Sequence, residues 1–456
     1  MKATTHVKAE DRAEALAVYG TDQADEHPGV RGLMEDRASW YLAGPVEGLY
    51  PLRHHDFSSL RLDPGHVHRC FAERGWRRVM AFYMDQPLFL PQVAAIVEAA
   101  RSVDARIFLQ AVVELALPGD RYHYAKVRCW QQILKYFPRN QVELGLITLA
   151  QRPAGPRAAL WQALIAGNFG CSHYLVAPDQ GDPFAQQADR EPFYPRGGAL
   201  RLLQDMAGEI GVTPVEQEEM IYREGRFVPQ GEAGPGEPVQ DLGPGEVIRR
   251  LEFGQEVPEW FSPPEVTAEL AYAYPPRHRQ GFTILFTGLP AAGKSTLAKA
   301  LVAKLMERRE RPVTLLDGDI VRRHLSSELG FSARDRHLNL VRIAFVASEI
   351  TKNGGVAVCA PIAPYQRSRR QMREMISAEG GFIEVHVATP IEVCQERDLK
   401  GNYAKARAGL ITGYTGVDDP YEVPEHPELR LDTSRLTPEE AAQEVMRYLA
   451  QQGYLV

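Results

Sequence analysis

Short apolar runs separated by polar, glycine-containing breaks dominate the chain from residue 78 onward. The run 78–83 predicts a strand, and the longer apolar stretch 93–100 predicts a helix. Runs 107–113 and 142–149 predict two further strands, 161–165 lies in a predicted helix, and 173–177 is another short strand. Strands alternating with helices predict an α/β domain with a parallel sheet. Residues 1–75 are mixed and polar, with weak periodicity. Between 228 and 246 the chain turns rich in Pro, Gly and Glu, which predicts a surface loop. A second break, Tyr274-Pro275-Pro276-Arg277-His278-Arg279-Gln280, predicts a linker. No internal repeat is visible.

Beyond that break comes Thr283-Ile284-Leu285-Phe286-Thr287, a β-branched and aromatic run. It leads into Gly288-Leu289-Pro290-Ala291-Ala292-Gly293-Lys294-Ser295-Thr296, and then Leu297, Leu301 and Leu305 follow at helical spacing. Strand, glycine-rich loop and helix together make GxxxxGK[ST] a strong phosphate-binding signal. Glycines let backbone N–H groups curl around an oxyanion, and the helix start adds partial positive charge. Lys294 can reach the outer phosphates, and the Ser295 hydroxyl can ligate Mg²⁺. The next strand, 312–316, runs into Asp317-Gly318-Asp319. Asp-Gly is a common turn former on its own. At the carboxyl end of a strand beside a phosphate loop, the two carboxylates suit a metal partner and a proton acceptor.

Length and composition bound the rest. The chain has 456 residues, which predicts two or three domains. With 44% hydrophobic and 24% charged residues it has the profile of a soluble globular protein. The net charge of -7 argues against a general nucleic-acid binder. The five cysteines are scattered and never form a CxxC pair, so a reducing cytoplasm is expected. The opening Met1-Lys2-Ala3-Thr4-Thr5-His6 lacks a signal-peptide apolar core, and no run reaches the roughly 18 apolar residues of a membrane span.

From the phosphate loop to its end the chain resembles adenylylsulfate (APS) kinase. The matching stretches include Leu316-Asp317-Gly318-Asp319, Leu329-Gly330-Phe331-Ser332, Asp335-Arg336 with Asn339, and Pro364-Tyr365. Others are Arg397-Asp398, Lys400-Gly401, Lys405-Ala406-Arg407, Tyr414-Thr415-Gly416-Val417-Asp418 and Pro420-Tyr421-Glu422. The resemblance implies a P-loop NTPase-type parallel sheet with flanking helices. It implies transfer of the γ-phosphoryl of MgATP to the 3′-hydroxyl of APS, giving PAPS. ATP and Mg²⁺ are the implied cofactors and APS the small-molecule partner. A homo-oligomer, dimer or higher, is expected.

Residue by residue, the resemblance places Asp319 as candidate base and Lys294 beside it in catalysis. It assigns residues 288–296 and Arg397 to the nucleotide. Asp317, Arg322, Arg336, Asn339, Ile362 and Lys400 go to the acceptor, with Phe331 and Tyr414 sandwiching its adenine. Three departures stand out. Ile320 replaces a usual Asn, Leu338 an acidic residue, and Ala363 a Ser proposed elsewhere as a phosphoenzyme nucleophile. A methyl group cannot accept phosphate, so no covalent route exists there. Ile320 and Leu338 motivate an alternative, a kinase for a related nucleotide or specialised metabolite. A nucleotide-binding regulatory scaffold is a further one.

Residues 30–270 resemble ATP sulfurylase, which implies a nucleotidyltransferase-like α/β domain with a short preceding region. Framework matches are Gly75-Trp76-Arg77-Arg78-Val79, Tyr122-His123-Tyr124, Ala154-Gly155-Pro156-Arg157, Asn168-Phe169-Gly170-Cys171-Ser172-His173 and Pro258-Glu259-Trp260-Phe261. The family's anion-holding segment, Gln-x-Arg-Asn-Pro-x-His-x-x-His, aligns with Tyr83-Met84-Asp85-Gln86-Pro87-Leu88-Phe89-Leu90-Pro91-Gln92. Both histidines are gone and the arginine is Asp85. A second segment, Gly-Arg-Asp-His-Ala-Gly, reads Ala177-Pro178-Asp179-Gln180-Gly181-Asp182. The late Ser-Gly-Thr reads Gly243-Pro244-Gly245. A negative charge where two anions must meet predicts that this domain has lost sulfurylase activity. The expected layout is a truncated sulfurylase-type region over 1–75, a sulfurylase-like domain over 76–270, a linker over 271–280 and the kinase domain over 281–456.

Overall fold

The computed structural model describes residues 5–8, 11–35, 40–45, 47–48, 53–113, 121–185, 190–232 and 242–456. It divides into two compact units, one of residues 1–251 with 255–274, the other of 252–254 with 275–456. The region 1–75 belongs to the first unit together with the predicted sulfurylase-like stretch.

The first unit is built on five parallel strands. They are β3 (Val79–Met84), β4 (Arg106–Val113), β5 (Val142–Thr148), β6 (His173–Val176) and β7 (Thr213–Glu216), in the order β5-β4-β3-β6-β7. Two small antiparallel pairs, β1 (Thr5–Lys8) with β2 (Trp40–Ala43) and β8 (Met220–Arg223) with β9 (Arg226–Pro229), complete it. All six residues of β3 are buried, as expected for a strand covered by helices on both faces. The two faces carry separate cores. Met80, Phe82, Ile107 and Leu109 join Trp130 and Phe261 on one side. Val79, Ala81, Phe108 and Tyr174 join Ala159 and Ala163 on the other.

Strand order reverses between β3 and β6, so the crevice that binds ligands in such sheets lies beyond Met84 and Val176. These are the positions from which the two altered sulfurylase segments leave the sheet. In the Pro/Gly/Glu-rich stretch, Val228 and Pro229 close β9 and Pro244 opens a helix, so the predicted loop is shorter at both ends. Residues 233–241 of that loop lie outside the described residues.

The second unit has five parallel strands, β10 (Phe282–Thr287), β11 (Val313–Asp317), β12 (Val356–Ala360), β13 (Gly381–Val387) and β14 (Leu429–Leu431). Their order is β11-β12-β10-β13-β14. Strands β10, β12 and β13 are buried along their whole length. Phe282, Ile284 and Phe286 pack against Leu297, Leu301 and Leu305 of the helix Lys294–Arg308. Leu285 faces the opposite core with Ile343 and Ala347 of the helix Ala333–Lys352. The period-2 alternation of β10 thus meets a helical face on each side.

Local signals set the helix starts. Ser332 accepts from the Asp335 amide, and Thr437 and Glu440 form a reciprocal capping box. Asp317 both ends β11 and caps the short helix Gly318–His324 by accepting from the Asp319 amide at 3.1 Å. No helix among the described residues is long and apolar enough to cross a membrane.

Candidate active site

The loop after β10 is held from outside. Lys294 Nζ donates to the carbonyls of Gly288 at 2.9 Å and Leu289 at 2.8 Å. Tyr403 Oη donates to Pro290 O at 3.0 Å, and Thr389 and Thr433 hydroxyls donate to Ala292 O at 3.0 and 2.9 Å. A loop whose carbonyls are so occupied can offer its remaining amides to an anion as a nest. Gly288 is required by close approach: a Cβ there would stand 2.5 Å from the Val387 carbonyl oxygen. Gly293, at φ 96°, places the helix start in the left-handed region that glycine tolerates.

The loop opens on a cavity of about 700 Å³. Ala291, Gly293, Lys294, Ser295 and Thr296 line one side, and Arg397, Thr433 and Arg435 line another. Arg397 donates to Thr433 Oγ1 at 2.8 Å and to its carbonyl at 3.0 Å. Sequence reasoning found Arg397 but missed Thr389 and Thr433. Thr433 follows the carboxyl end of β14, and strand ends were the signal available for it. Lys294 is 7% exposed, and burial lowers its pKa to about 8, offset in part by Cys394 and Asp317.

Of the predicted acceptor residues, those from Asp317 to Asn339 lie at or beyond the end of β11, Ile362 follows β12, and Lys400 and Tyr414 follow β13. Asp319 is exposed, with Lys400 Nζ 3.7 Å from its carboxylate. Arg322 lies 4.3 Å over the ring of Phe331, which is 65% exposed, and donates to Leu329 O and Gly330 O. Asn339 is buried, and its Oδ1 has no hydrogen-bond partner. An orphaned buried acceptor of this kind suits a ligand donor.

The wall opposite comes from the exit of β12. The Ile362 carbonyl accepts from Thr287 Oγ1 at 2.8 Å. Ala363 adopts φ 49°, a strained conformation for a non-glycine residue. Its carbonyl is held by Thr287 and by Arg369 Nη1 at 2.8 Å. Arg369 is itself 1% exposed and stands 2.9 Å from Glu384, an ion-pair contact whose Nε is not aligned as a hydrogen bond. Tyr414 is half-buried, edge-on to Tyr403 at 5.1 Å. Arg336 does not point into open space. Its Nε donates to Phe331 O at 2.8 Å, and its terminal nitrogens bond Gly413 O and Thr415 Oγ1 and pair with Asp419 at 3.2 Å.

The crevice of the first unit is built differently. At the two positions where sulfurylases hold histidines stand Phe89 and Gln92. Phe89 is 3% exposed and packs on Phe261 at 4.7 Å; Gln92 Oε1 accepts from the Phe89 amide at 3.1 Å. The Gln86 carbonyl accepts from Trp130 Nε1 at 2.9 Å. In the second segment, Gln180 Nε2 donates to Gln162 Oε1 at 2.9 Å, which Tyr174 also reaches at 2.8 Å. Asp182 accepts from the Phe184 and Tyr194 amides at 2.8 and 2.7 Å. The Gly155 amide, beside the start of the helix Pro156–Asn168, donates to Gly181 O at 2.9 Å. Phe89, Gln92, Gln180 and Asp182 each pack on or bond to a neighbouring part of the same unit.

An all-parallel sheet with a glycine-rich loop between β10 and its helix, and a cavity at that loop, define the second unit as a P-loop phosphotransferase. Residues 280–432 match the Adenylylsulphate kinase family and residues 58–273 the ATP-sulfurylase family. Over 449 residues, 98% of this chain, the sequence is 41% identical to a sulfate adenylyltransferase of Aspergillus oryzae, 78% of which is covered. A sulfate adenylyltransferase of Neurospora crassa is 39% identical over 450 residues, covering 98% of this chain and 78% of the relative. The fold matches the hexameric APS kinase from Thiobacillus denitrificans with a TM-score of 0.75 and 41% identity, over 91% of this chain and 75% of that one. The chain belongs to the family that joins an ATP-sulfurylase domain to an adenylylsulphate kinase domain.

Proposed function

We propose that the chain transfers the γ-phosphoryl group of ATP to the 3′-hydroxyl of APS, giving PAPS and ADP, and that its sulfurylase-like domain makes no APS. The observation that carries the first part is the pairing of two features. One is a phosphate loop bordering a cavity lined by Lys294 and Arg397. The other is an acceptor side that offers Asp319, the unpartnered Asn339 Oδ1 and the exposed ring of Phe331. In this reading ATP fills the cavity with its phosphates on residues 288–296. Lys294 exchanges its two loop carbonyls for phosphate oxygens. Asp319 takes the proton of the attacking hydroxyl, and Lys400, 3.7 Å from it, closes positive charge over the transfer. The route is direct, since Ala363 offers no nucleophile.

Mg²⁺ would offset charge on the transferred group. The described residues contain no cluster of three or more His, Cys, Asp or Glu that could cage an ion. In this reading the ion is held mainly by phosphates and water, with the Ser295 hydroxyl as its protein ligand.

The second part is supported by Phe89, Gln92, Gln180 and Asp182, all used structurally, and by Asp85 where an arginine would hold anions. The domain then serves as a platform for a homo-oligomer. Purified protein given MgATP with APS or with sulfate tests both parts: PAPS is expected from the first, and no APS from the second.

A second reading, a kinase for a different acceptor, draws on Ile320 at 51% exposure beside Asp319 and Leu338 at 37% beside Asn339. Faster turnover with another hydroxyl acceptor than with APS would favour it.

The lowered pKa of Lys294 gives a pH signature. Phosphates restore the charged form, so binding above pH 8 must take up a proton. The nucleotide's last phosphate has already ionised, with a pKa near 6. Affinity for ATP is therefore expected to fall by about twofold between pH 7 and 8 and by up to about tenfold per pH unit above that. Titrations in two buffers of different ionisation enthalpy should show about half a proton taken up at pH 8. Constant affinity to pH 9.5 would contradict it.

A further inference from the structure

The segment that carries Tyr414 is tied down at one carboxylate. Three donors converge on Asp419: Tyr365 Oη on Oδ1 at 2.8 Å, Arg336 Nη1 on Oδ2 at 3.2 Å, and Thr415 Oγ1 on Oδ2 at 3.4 Å. They come from three places, the exit of β12, the helix Ala333–Lys352 and the Tyr414 segment itself. Arg336 continues the chain. It bonds the carbonyl of Phe331 and the carbonyl of Gly413, so one guanidinium bridges the two stretches that hold Phe331 and Tyr414. Asp418 fixes the second stretch further, accepting from the Gly413 and Tyr414 amides at 2.6 Å each. Tyr365 and Asp419 are not among the residues lining the nucleotide cavity. Burial, and then Asp419, raise the Tyr365 pKa, so the phenol stays a donor.

We infer that Tyr365 and Asp419 are positioning residues for the acceptor: they hold Arg336 as a spacer that fixes the width of the slot between Phe331 and Tyr414 before a ligand enters. The inference rests on the reading that these two rings flank the acceptor's adenine. It gives Arg336 a different part from the direct contact with the acceptor that resemblance implies, such as a bond to one of its anionic groups. A preset slot spares the ligand the ordering of two loops. Stacking of a base on an aromatic ring is worth enough for that geometry to matter. The two parts lose different things. A failed spacer weakens every ligand that enters the slot, charged or not. A failed anion ligand weakens only those that carry the anion.

The test uses full-length Tyr365→Phe, which keeps the ring and removes only the hydroxyl, with Asp419→Asn beside it. Losing one hydrogen bond to a carboxylate should raise KM for APS about tenfold. KM for ATP and kcat should stay within about twofold, because the phosphate loop is untouched. Binding of uncharged adenosine, titrated in saturating MgADP, should weaken by the same factor as binding of APS. Unchanged KM for APS in both variants overturns the inference. Weakened APS with unchanged adenosine also overturns it and returns Arg336 to the anion. Wild-type protein that does not turn over APS overturns the underlying function instead, and the adenosine arm still decides whether Tyr365 and Asp419 set the slot.

Discussion

Asp319→Asn is expected to lower kcat by about two to four orders of magnitude, the usual worth of a positioned general base. The change should be silent in the fold. The Asp319 side chain is 85% exposed, and its carboxylate's ion pair is with Lys400, itself 75% exposed. Exposed pairs of this kind contribute little to stability. The helix cap at this point uses the Asp319 backbone amide and the Asp317 carboxylate, and asparagine keeps that amide. The melting temperature and the KM for ATP should therefore match the wild type while turnover collapses. Direct measurement of PAPS formation at saturating ATP and APS checks this. Turnover within a few-fold of wild type would remove Asp319 from the proton-accepting role.

Lys294→Ala should be the other severe change, with kcat down by about three orders of magnitude, as for other electrostatic anchors of a transition state. Its cause differs. Lys294 is buried, and its ammonium satisfies two loop carbonyls in the structure. Alanine removes the cation that follows the outer phosphates and frees the Gly288 and Leu289 carbonyls to turn. Lys294→Met separates the two effects, since it fills the space without the charge. Equal loss in both variants would assign the effect to charge; recovery in Lys294→Met would assign it to packing. Both are checked by single-turnover phosphoryl transfer with nucleotide in excess, so that weaker binding is not mistaken for slower chemistry. Normal turnover in both would contradict the role of the loop.

The phosphate loop was legible in the sequence because its parts are contiguous: strand β10, the glycines and the apolar helix face lie within one short stretch. Thr389 and Thr433 were not legible, because only the order of β13, β10 and β14 in the sheet brings them to Ala292. Arg336 shows a different limit. Resemblance assigns the residue but not the direction of its guanidinium, which here spans Phe331 and Gly413. The weak periodicity of the first 75 residues also has a physical cause. The helix Asp11–Tyr19 fully buries only Ala15 and Tyr19 and leaves Leu16 exposed, and the short helix Pro28–Glu35 fully buries only Val30 with Leu33 and Met34 partly covered, so each apolar face is brief.

In the sulfurylase-like unit β3 to β6 were readable to within a residue or two from their apolar runs, whereas β7 (Thr213–Glu216), which has no buried residue, was not. Their ends shifted slightly: β3 starts at Val79 and runs through Met84, against the expected 78–83. Phe89 and Gln92 at the two histidine positions were visible in the sequence; their surroundings were not. Only the folded chain places Phe89 in the core against Phe261 and Gln180 on Gln162.

The central claim is that one catalytic centre works in a chain with two catalytic-type domains. The most direct measurement is on full-length protein with MgATP, comparing ADP and PAPS formed from APS with APS and pyrophosphate formed from sulfate. The account predicts rapid, Lys294-dependent PAPS formation and no product from sulfate above the no-enzyme background. Pyrophosphate release dependent on sulfate, or no turnover of APS at all, would contradict it.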